Sequence, residues 1–271
     1  MNPYWTLTAA HCIFNGRFGA LHESLRNQRG YMPRNLLRIL GMALVAMAAT
    51  SVSARPVVLE LFTSQGCSSC PPADALLASM NDDANVIPLS LHVDYWDYLG
   101  WKDPFSSTAM TARQRSYSSL QGKNNVFTPQ LMVDGKYSTV GSNASDVRDA
   151  IKQAQAGALF LPITLTANAA TQRLAVHIAR STDTALPKQG TIYAFYYTRQ
   201  ALTSVARGEN SGRTLTNINN VSHIEKLGNW QAGSDFDHET ALPVSPQEGV
   251  AIIAQADGQG PVIGAARYVA H

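Results

Sequence analysis

The chain has 271 residues, 45% of them hydrophobic and 15% charged, with a formal charge of +2. The charge is unevenly placed: five of the 21 Lys and Arg and one of the 19 acidic residues precede position 55, leaving 16 basic against 18 acidic side chains in residues 55–271. That span holds no basic run to bind nucleic acid or an anionic membrane surface, and it is long enough for one large or two modest cores.

The opening residues read as a leader. Residues 32–54 begin at Met32, carry Arg34 and Arg38, continue as an uncharged apolar run from Ile39 to Ala49, and reach the small-residue site Val52-Ser53-Ala54. This is the order of a cleavable signal peptide, cut near Ala54. Its apolar run falls short of the ~20 residues of a membrane span. The expectation is a periplasmic or secreted protein with no stable membrane association after cleavage. Residues 1–31 then lie upstream of the true start. Removing the leader also removes Cys12, so Cys67 and Cys70 become the only cysteines.

From residue 55 the chain alternates strand and helix signals. Val57 to Phe62 is a nearly continuous apolar run, as in a strand buried on both faces. Pro71 and Pro72 suit a first helical turn, and Ala73 to Met80 carries a helical pattern. Val86 to Val93 predicts a second buried strand. Residues 95–122, polar with sparse apolar positions from Pro104 to Leu120, read as a mostly helical insertion. Phe127 to Val133, Asp134-Gly135 and Lys136 to Val140 predict a hairpin with a type I′ turn, and Ala144 to Ala156 a helix. The order β-α-β, insertion, β-hairpin, α is that of a thioredoxin fold.

After Gly157 the texture changes to short alternating segments: Leu159–Ala167, Arg173–Arg180, Gly190–Thr198, Val250–Ala256 and Val262–Ala270. These predict an antiparallel, β-sandwich-like module. The expected organisation is therefore a thioredoxin-like domain over 55–157 and a β-rich domain over 158–271. The polar stretch from Arg207 to Asn217 lies between strands, where packing against the first domain is the favoured role.

The chemistry centres on Cys67-Ser68-Ser69-Cys70. A C-x-x-C between a strand and a helix places its first sulfur at a helix N-terminus, where free backbone N–H groups and the dipole favour a thiolate. Cys67 is expected as the exposed nucleophile and Cys70 as the buried resolving thiol. Thr128-Pro129 falls where a thioredoxin fold carries a cis-proline facing the pair, with Thr128 presenting backbone to a substrate. Glu60, on the first strand, is a candidate proton relay or a satisfied structural carboxylate. Trp96, among Tyr95, Tyr98, Trp101 and Phe105, either packs the insertion or lines a substrate groove.

The run Val57–Asp74, the elements His92-Val93-Asp94-Tyr95-Trp96 and Trp101-Lys102-Asp103-Pro104-Phe105, Thr128-Pro129-Gln130 and Gly208 to Thr216 together resemble an uncharacterised secreted family, domain of unknown function 1223. The resemblance covers residues 55–271 and implies a thioredoxin-like domain in a periplasmic or secreted protein, without supplying a substrate.

The reading that follows is a thiol–disulfide oxidoreductase acting on a protein or small-molecule thiol or disulfide, with no cofactor, no resident metal and no nucleic-acid partner. Oligomeric state is left open. Two alternatives use the same scaffold. One binds Cu(I) through the two thiolates, with Met132 or His92 recruited. The other keeps a structural disulfide and serves as an interaction scaffold.

Overall fold

The computed structural model describes residues 55–157 and 159–270. The leader and Cys12 lie outside these residues. Among the described residues no helix is long and apolar enough to cross a membrane.

Strand β1 (Val57–Thr63) and strand β2 (Val86–His92) are buried throughout and pair in parallel, from Val57 opposite Val86 to Thr63 opposite His92. Helix α1 (Pro71–Ser79) connects them. Helix α2 (Thr108–Leu120) forms the expected insertion, capped by the Ser107 hydroxyl accepting from the Ala109 N–H. Strand β3 (Gln130–Val133) runs antiparallel to β1 and turns into β4 (Tyr137–Val140). The turn residues Asp134 and Gly135 have φ of 51° and 64°, as a type I′ turn requires. Helix α3 (Ala144–Ala156) starts at Asn143, whose side chain accepts from the N–H groups of Ser145 and Asp146.

The C-terminal part contributes β5 (Thr164–Asn168), β6 (Arg173–Ile178), β7 (Gln189–Ser204), β8 (Thr214–Gln231), β9 (Phe236–Ala241), β10 (Glu248–Ala256) and β11 (Val262–Val269). They do not stand apart from the first half. One eight-stranded mixed sheet runs β11-β10-β7-β8-β2-β1-β3-β4, and a three-stranded antiparallel sheet runs β5-β6-β9. The junction is β8, which pairs antiparallel with β7 along its length and in parallel with β2 at Ser90 opposite Asn220. The expected boundary at residue 157 thus crosses a continuous sheet, and the described residues cluster as one compact unit. Two strands, β8 and β9, have no counterpart in the sequence reading. In β8 the residues Asn217, Asn219 and Asn220 look like loop residues but are buried.

Alternation along the strands sorts the core into layers. Leu59 and Leu61 of β1 pack with Ala73 and Leu77 of α1 and with Val147 and Ala150 of α3. Val58 and Phe62 point to the opposite face, with Met110 and Tyr117 of α2 and with Phe195, Ala251 and Ile253 of the β7–β10 region. The other face of that region, including Ile192, Val250 and Ile252, packs on Leu174, Val176 and Ile178 of the three-stranded sheet. The β-rich half is therefore two packed layers, as expected, with one layer being an extension of the main sheet.

Candidate functional site

Pro71 and Pro72 occupy the first two positions of α1, where the missing N–H is no loss and φ is already helical. This sets the helix start one residue after the second cysteine. Cys70, in place of the expected Cys67, stands at the helix N-cap, and its carbonyl accepts from the N–H groups of Ala73 (2.9 Å) and Asp74 (3.1 Å). Cys67 lies one turn earlier, its carbonyl receiving the Cys70 N–H at 3.3 Å. The two sulfurs form a disulfide with the Cα atoms 5.5 Å apart.

Neither sulfur is exposed. Both cysteines have 0% relative accessibility, while Ser68 and Ser69 between them face solvent. The expectation of an exposed Cys67 is corrected by this burial, and the tip of the β7–β8 hairpin binds the backbone of the turn that carries the pair. Asn210, itself 0% exposed, donates through Nδ2 to the carbonyls of Gln65 (3.0 Å) and Cys67 (2.9 Å). Arg213 holds the Asn210 Oδ1 at 2.9 Å, and the Glu209 carboxylate accepts from the Ser68 N–H at 3.0 Å. Hydrogen bonding with the Ser68 side chain, and then with its backbone N–H, draws the Glu209 carboxyl below its ordinary range. The polar stretch from Arg207 to Asn217 is thus a clasp over the cysteine turn.

The other side of the turn meets Trp96. A Cβ on Gly66 would lie 3.0 Å from the Trp96 Cβ, so this glycine is what lets the tryptophan approach the turn. Trp96 Nε1 then donates to the Thr128 hydroxyl at 2.8 Å. The Thr128–Pro129 peptide is cis. Pro129 sits beside the start of α1: a Cβ placed on Gly141 would lie 3.2 Å from the Ala73 Cβ and 3.6 Å from the Pro129 Cβ. Cys67, Cys70, Pro129, Thr128 and Trp96 therefore gather at one site. Trp101 joins them, donating from Nε1 to the Gln65 Oε1 at 3.2 Å, whereas Tyr98 is 79% exposed.

Glu60 is not brought there. Leu59 and Leu61 face α1, so the side chain between them must face the opposite side of β1. Its carboxylate forms a buried ion pair with Arg113 of α2 through both oxygens and accepts from the Tyr117 hydroxyl at 2.6 Å. Burial penalises the Arg113 guanidinium, but the Glu60 charge and hydrogen bond, with Tyr117 and Tyr193, together outweigh it and raise its pKa. This places Glu60 as a satisfied core carboxylate. Met132 points to the same α2 face, with Phe62 and Tyr117, and so cannot complete a soft metal site with the two sulfurs. Among the described residues there is no group of three or more His, Cys, Asp and Glu able to hold a metal ion.

A second set of acids lies nearer the pair, and the sequence reading passed over it. Asp74 follows Cys70 by one helical turn and is buried. Desolvation raises its pKa to about 6, against the opposing influence of His92 and the Thr63 hydroxyl. His92, at the end of β2 and fully buried, has its Nδ1 2.7 Å from the Asp103 Oδ2. Burial alone would lower the His92 pKa, but the Asp103 charge and hydrogen bond, with help from Asp74 and Asn220, raise it. Asp103 is likewise penalised by burial, and His92 together with the N–H groups of Gln65 (2.8 Å) and Phe105 (2.9 Å) holds it below the carboxylate range. Asp103 thus ties the histidine to the backbone of the cysteine turn. The visible signal was a carboxylate four residues after a helix-capping cysteine.

The family model for the protein of unknown function DUF1223 matches residues 58–255, and the chain belongs to that family. The fold is similar to a structural-genomics crystal structure of an Agrobacterium tumefaciens protein, at 27% identity and a TM-score of 0.68, covering 80% of this chain and 96% of that one. It is also similar in fold to HBP35 of Porphyromonas gingivalis, at 15% identity and a TM-score of 0.55, covering 80% of this chain and 76% of that one. No curated protein matches the chain significantly.

Proposed function

We propose that the protein is a periplasmic or secreted thiol–disulfide oxidoreductase built on a thioredoxin-like core, exported by a signal peptide cut near Ala54. The order β1-α1-β2-α2-β3-β4-α3 supports the thioredoxin-like reading of the first half. The observation that carries the function is the Cys67–Cys70 disulfide at the start of α1 with Pro129 beside the same helical turn. A disulfide closing a loop this short contributes at the low end of ~2–4 kcal/mol, so a chain with cores of this size has little structural need of it.

Exchange begins when the β7–β8 tip lifts. An incoming thiolate attacks the Cys67 sulfur, the sulfur–sulfur bond breaks, and Cys70 leaves as a thiolate at the helix N-terminus, where the dipole favours the negative charge. A second thiolate then attacks the mixed disulfide, releasing the oxidised client and leaving both cysteines reduced. Run backwards, the same steps reduce a client disulfide and re-form the Cys67–Cys70 bond. Thr128, with Trp96 holding its hydroxyl, offers the edge against which an extended client segment lies.

The test is the reduction potential of the couple against glutathione, together with turnover of a peptide disulfide. The expected potential lies above about −300 mV, with turnover abolished in Cys67→Ser. A potential below that value with no turnover would leave a locked structural disulfide and overturn the reading.

A further inference from the structure

A cavity of about 280 Å³ opens in the β-rich half, where the main sheet meets the end of the three-stranded sheet. Its floor is Tyr196 of β7, His223 and Glu225 of β8, and Glu248 of β10; Leu242 and Pro243, which follow β9, form a wall. This is near the lower end of the about 300–1,000 Å³ of small-molecule sites, room for one short organic ligand.

The register of the sheet fixes the plan of the floor. Ala194, Tyr196 and Thr198 alternate onto one face of β7, the face that meets the three-stranded sheet. Glu225 stands opposite Ala194 on one side of β7, and Glu248 opposite Thr198 on the other. Opposite residues of antiparallel strands share a face, so the two acids flank Tyr196 diagonally, one at each end. At ~3.3 Å per residue along a strand and ~4.8 Å between strands, their Cα atoms lie about 16 Å apart with the tyrosine midway.

The middle is apolar and the ends are charged. The Tyr196 ring stacks on His223 with centroids 4.5 Å apart and planes 10° apart, and Leu242 and Pro243 are buried beside it. The Tyr196 hydroxyl hydrogen-bonds to that of Thr240, which donates to the Glu225 Oε2 at 3.1 Å and so fixes that carboxylate. No Lys or Arg lines the cavity, and among the described residues neither glutamate forms a salt bridge. Arg199 and Arg267 act on Tyr197, which packs on the opposite face of the sheet, and the Arg199 Nη1 donates to the Pro246 carbonyl at 3.0 Å. Carboxylates in a partly apolar cleft are screened less than on an open surface and concentrate cations there.

We propose that this cavity binds a linear aliphatic diammonium ion. One ammonium pairs with Glu225 and the other with Glu248, and the methylene chain crosses Tyr196 against Leu242 and Pro243. The inward reach of the two glutamates takes up part of the about 16 Å between them, leaving a span for a chain of about five to eight carbons. A monoamine satisfies one end only, and a metal ion leaves the apolar middle unfilled. The site shares no residue with the cysteine site and stands apart from the thiol–disulfide reading.

Proton NMR of the oxidised wild-type protein, titrated with hexamethylenediamine at low salt, reads the ring signals of Tyr196 and His223. The expected result is a saturable shift of these signals. Hexylamine, with one charge, and trimethylenediamine, too short to span, should each bind about tenfold more weakly. Glu225→Gln and Glu248→Gln should each weaken binding about tenfold and the two together about 100-fold, and added sodium chloride should weaken it severalfold. No saturable shift at about 10 mM hexamethylenediamine would overturn the proposal. So would hexylamine or Mg²⁺ moving the same signals at equal concentration, or a folded double variant that binds as the wild type does. The comparison of amines on the wild-type protein needs no variant to fold.

Discussion

Replacing Asn210 with alanine tests whether the β7–β8 tip governs access to the disulfide. The side chain makes two buried hydrogen bonds to the cysteine turn, to the carbonyls of Gln65 and Cys67. At a net ~0.5–1.5 kcal/mol each, their loss removes about 1–3 kcal/mol from the closed arrangement. With 1.4 kcal/mol per tenfold, the open fraction grows roughly 5- to 150-fold. When opening and closing are fast compared with attack by dithiothreitol, the rate of reduction tracks that fraction. Reduction is followed by quenching with iodoacetamide and counting alkylated cysteines by mass spectrometry, at urea concentrations well below the unfolding transition. The expected result is a rate increase in this range with little dependence on urea, the mark of a local opening. A folded Asn210→Ala protein reduced at the wild-type rate would mean that reagents reach the sulfurs by another path. A rate that climbs with urea as steeply as global unfolding does would show that the tip never opens alone.

Other outcomes follow from the same geometry. Glu60→Gln should cost about 3–5 kcal/mol in urea unfolding, because it leaves Arg113 buried without its counter-ion; the dithiothreitol rate of the folded protein should stay within about twofold, as the residue lies across the sheet from the cysteines. The Asp74 carboxyl has a raised pKa in the folded state, from 3.8 to about 6. The folded chain therefore binds more protons than the unfolded chain between these values, and the group's contribution to stability falls as pH rises through them, by about 3 kcal/mol. Asp74→Asn should match the wild type near pH 4 and exceed it at pH 7.5 in urea midpoint; a difference constant over that range would contradict the assigned burial. Trp96→Ala should raise the KM for a peptide disulfide about tenfold, with dithiothreitol reduction changed by no more than about twofold. A fragment ending at residue 157 should be insoluble or unfolded in circular dichroism, because it leaves the β8 side of β2 unpaired.

Much of the framework was legible because its signals are local. The apolar run of β1, the Pro71-Pro72 helix start, the Asp134-Gly135 turn and the Asn143 cap each specify their geometry within a few residues. The position of Pro129 in that succession also led to its cis bond. β8 was hidden for the opposite reason. Asn217 and Asn219 favour turns in isolation, and here the Asn217 Oδ1 accepts from Gln65, 152 residues away, and the Asn219 Nδ2 donates to Asn81, 138 residues away. Asp74 reads as an ordinary acid in a first helical turn; only the arrival of β2 and β8 over it makes it a buried titratable group. Glu60 is instructive in another way. Its spacing from the cysteines suggested a relay, but the strand alternation around Leu59 and Leu61 already pointed its carboxylate away from α1.

The clasp over the cysteine turn comes from far along the chain: Asn210 lies 145 residues beyond Gln65 and 143 beyond Cys67. A polypeptide made or exported from its N-terminus therefore presents both cysteines long before the residues that cover them exist. At ~5–20 residues per second, that interval is about 7–30 s. Throughout that window the cysteine turn lacks the hydrogen bonds of Asn210 and Glu209 to its backbone. The turn is thus among the first parts of the folded chain to be made and among the last to receive its supports.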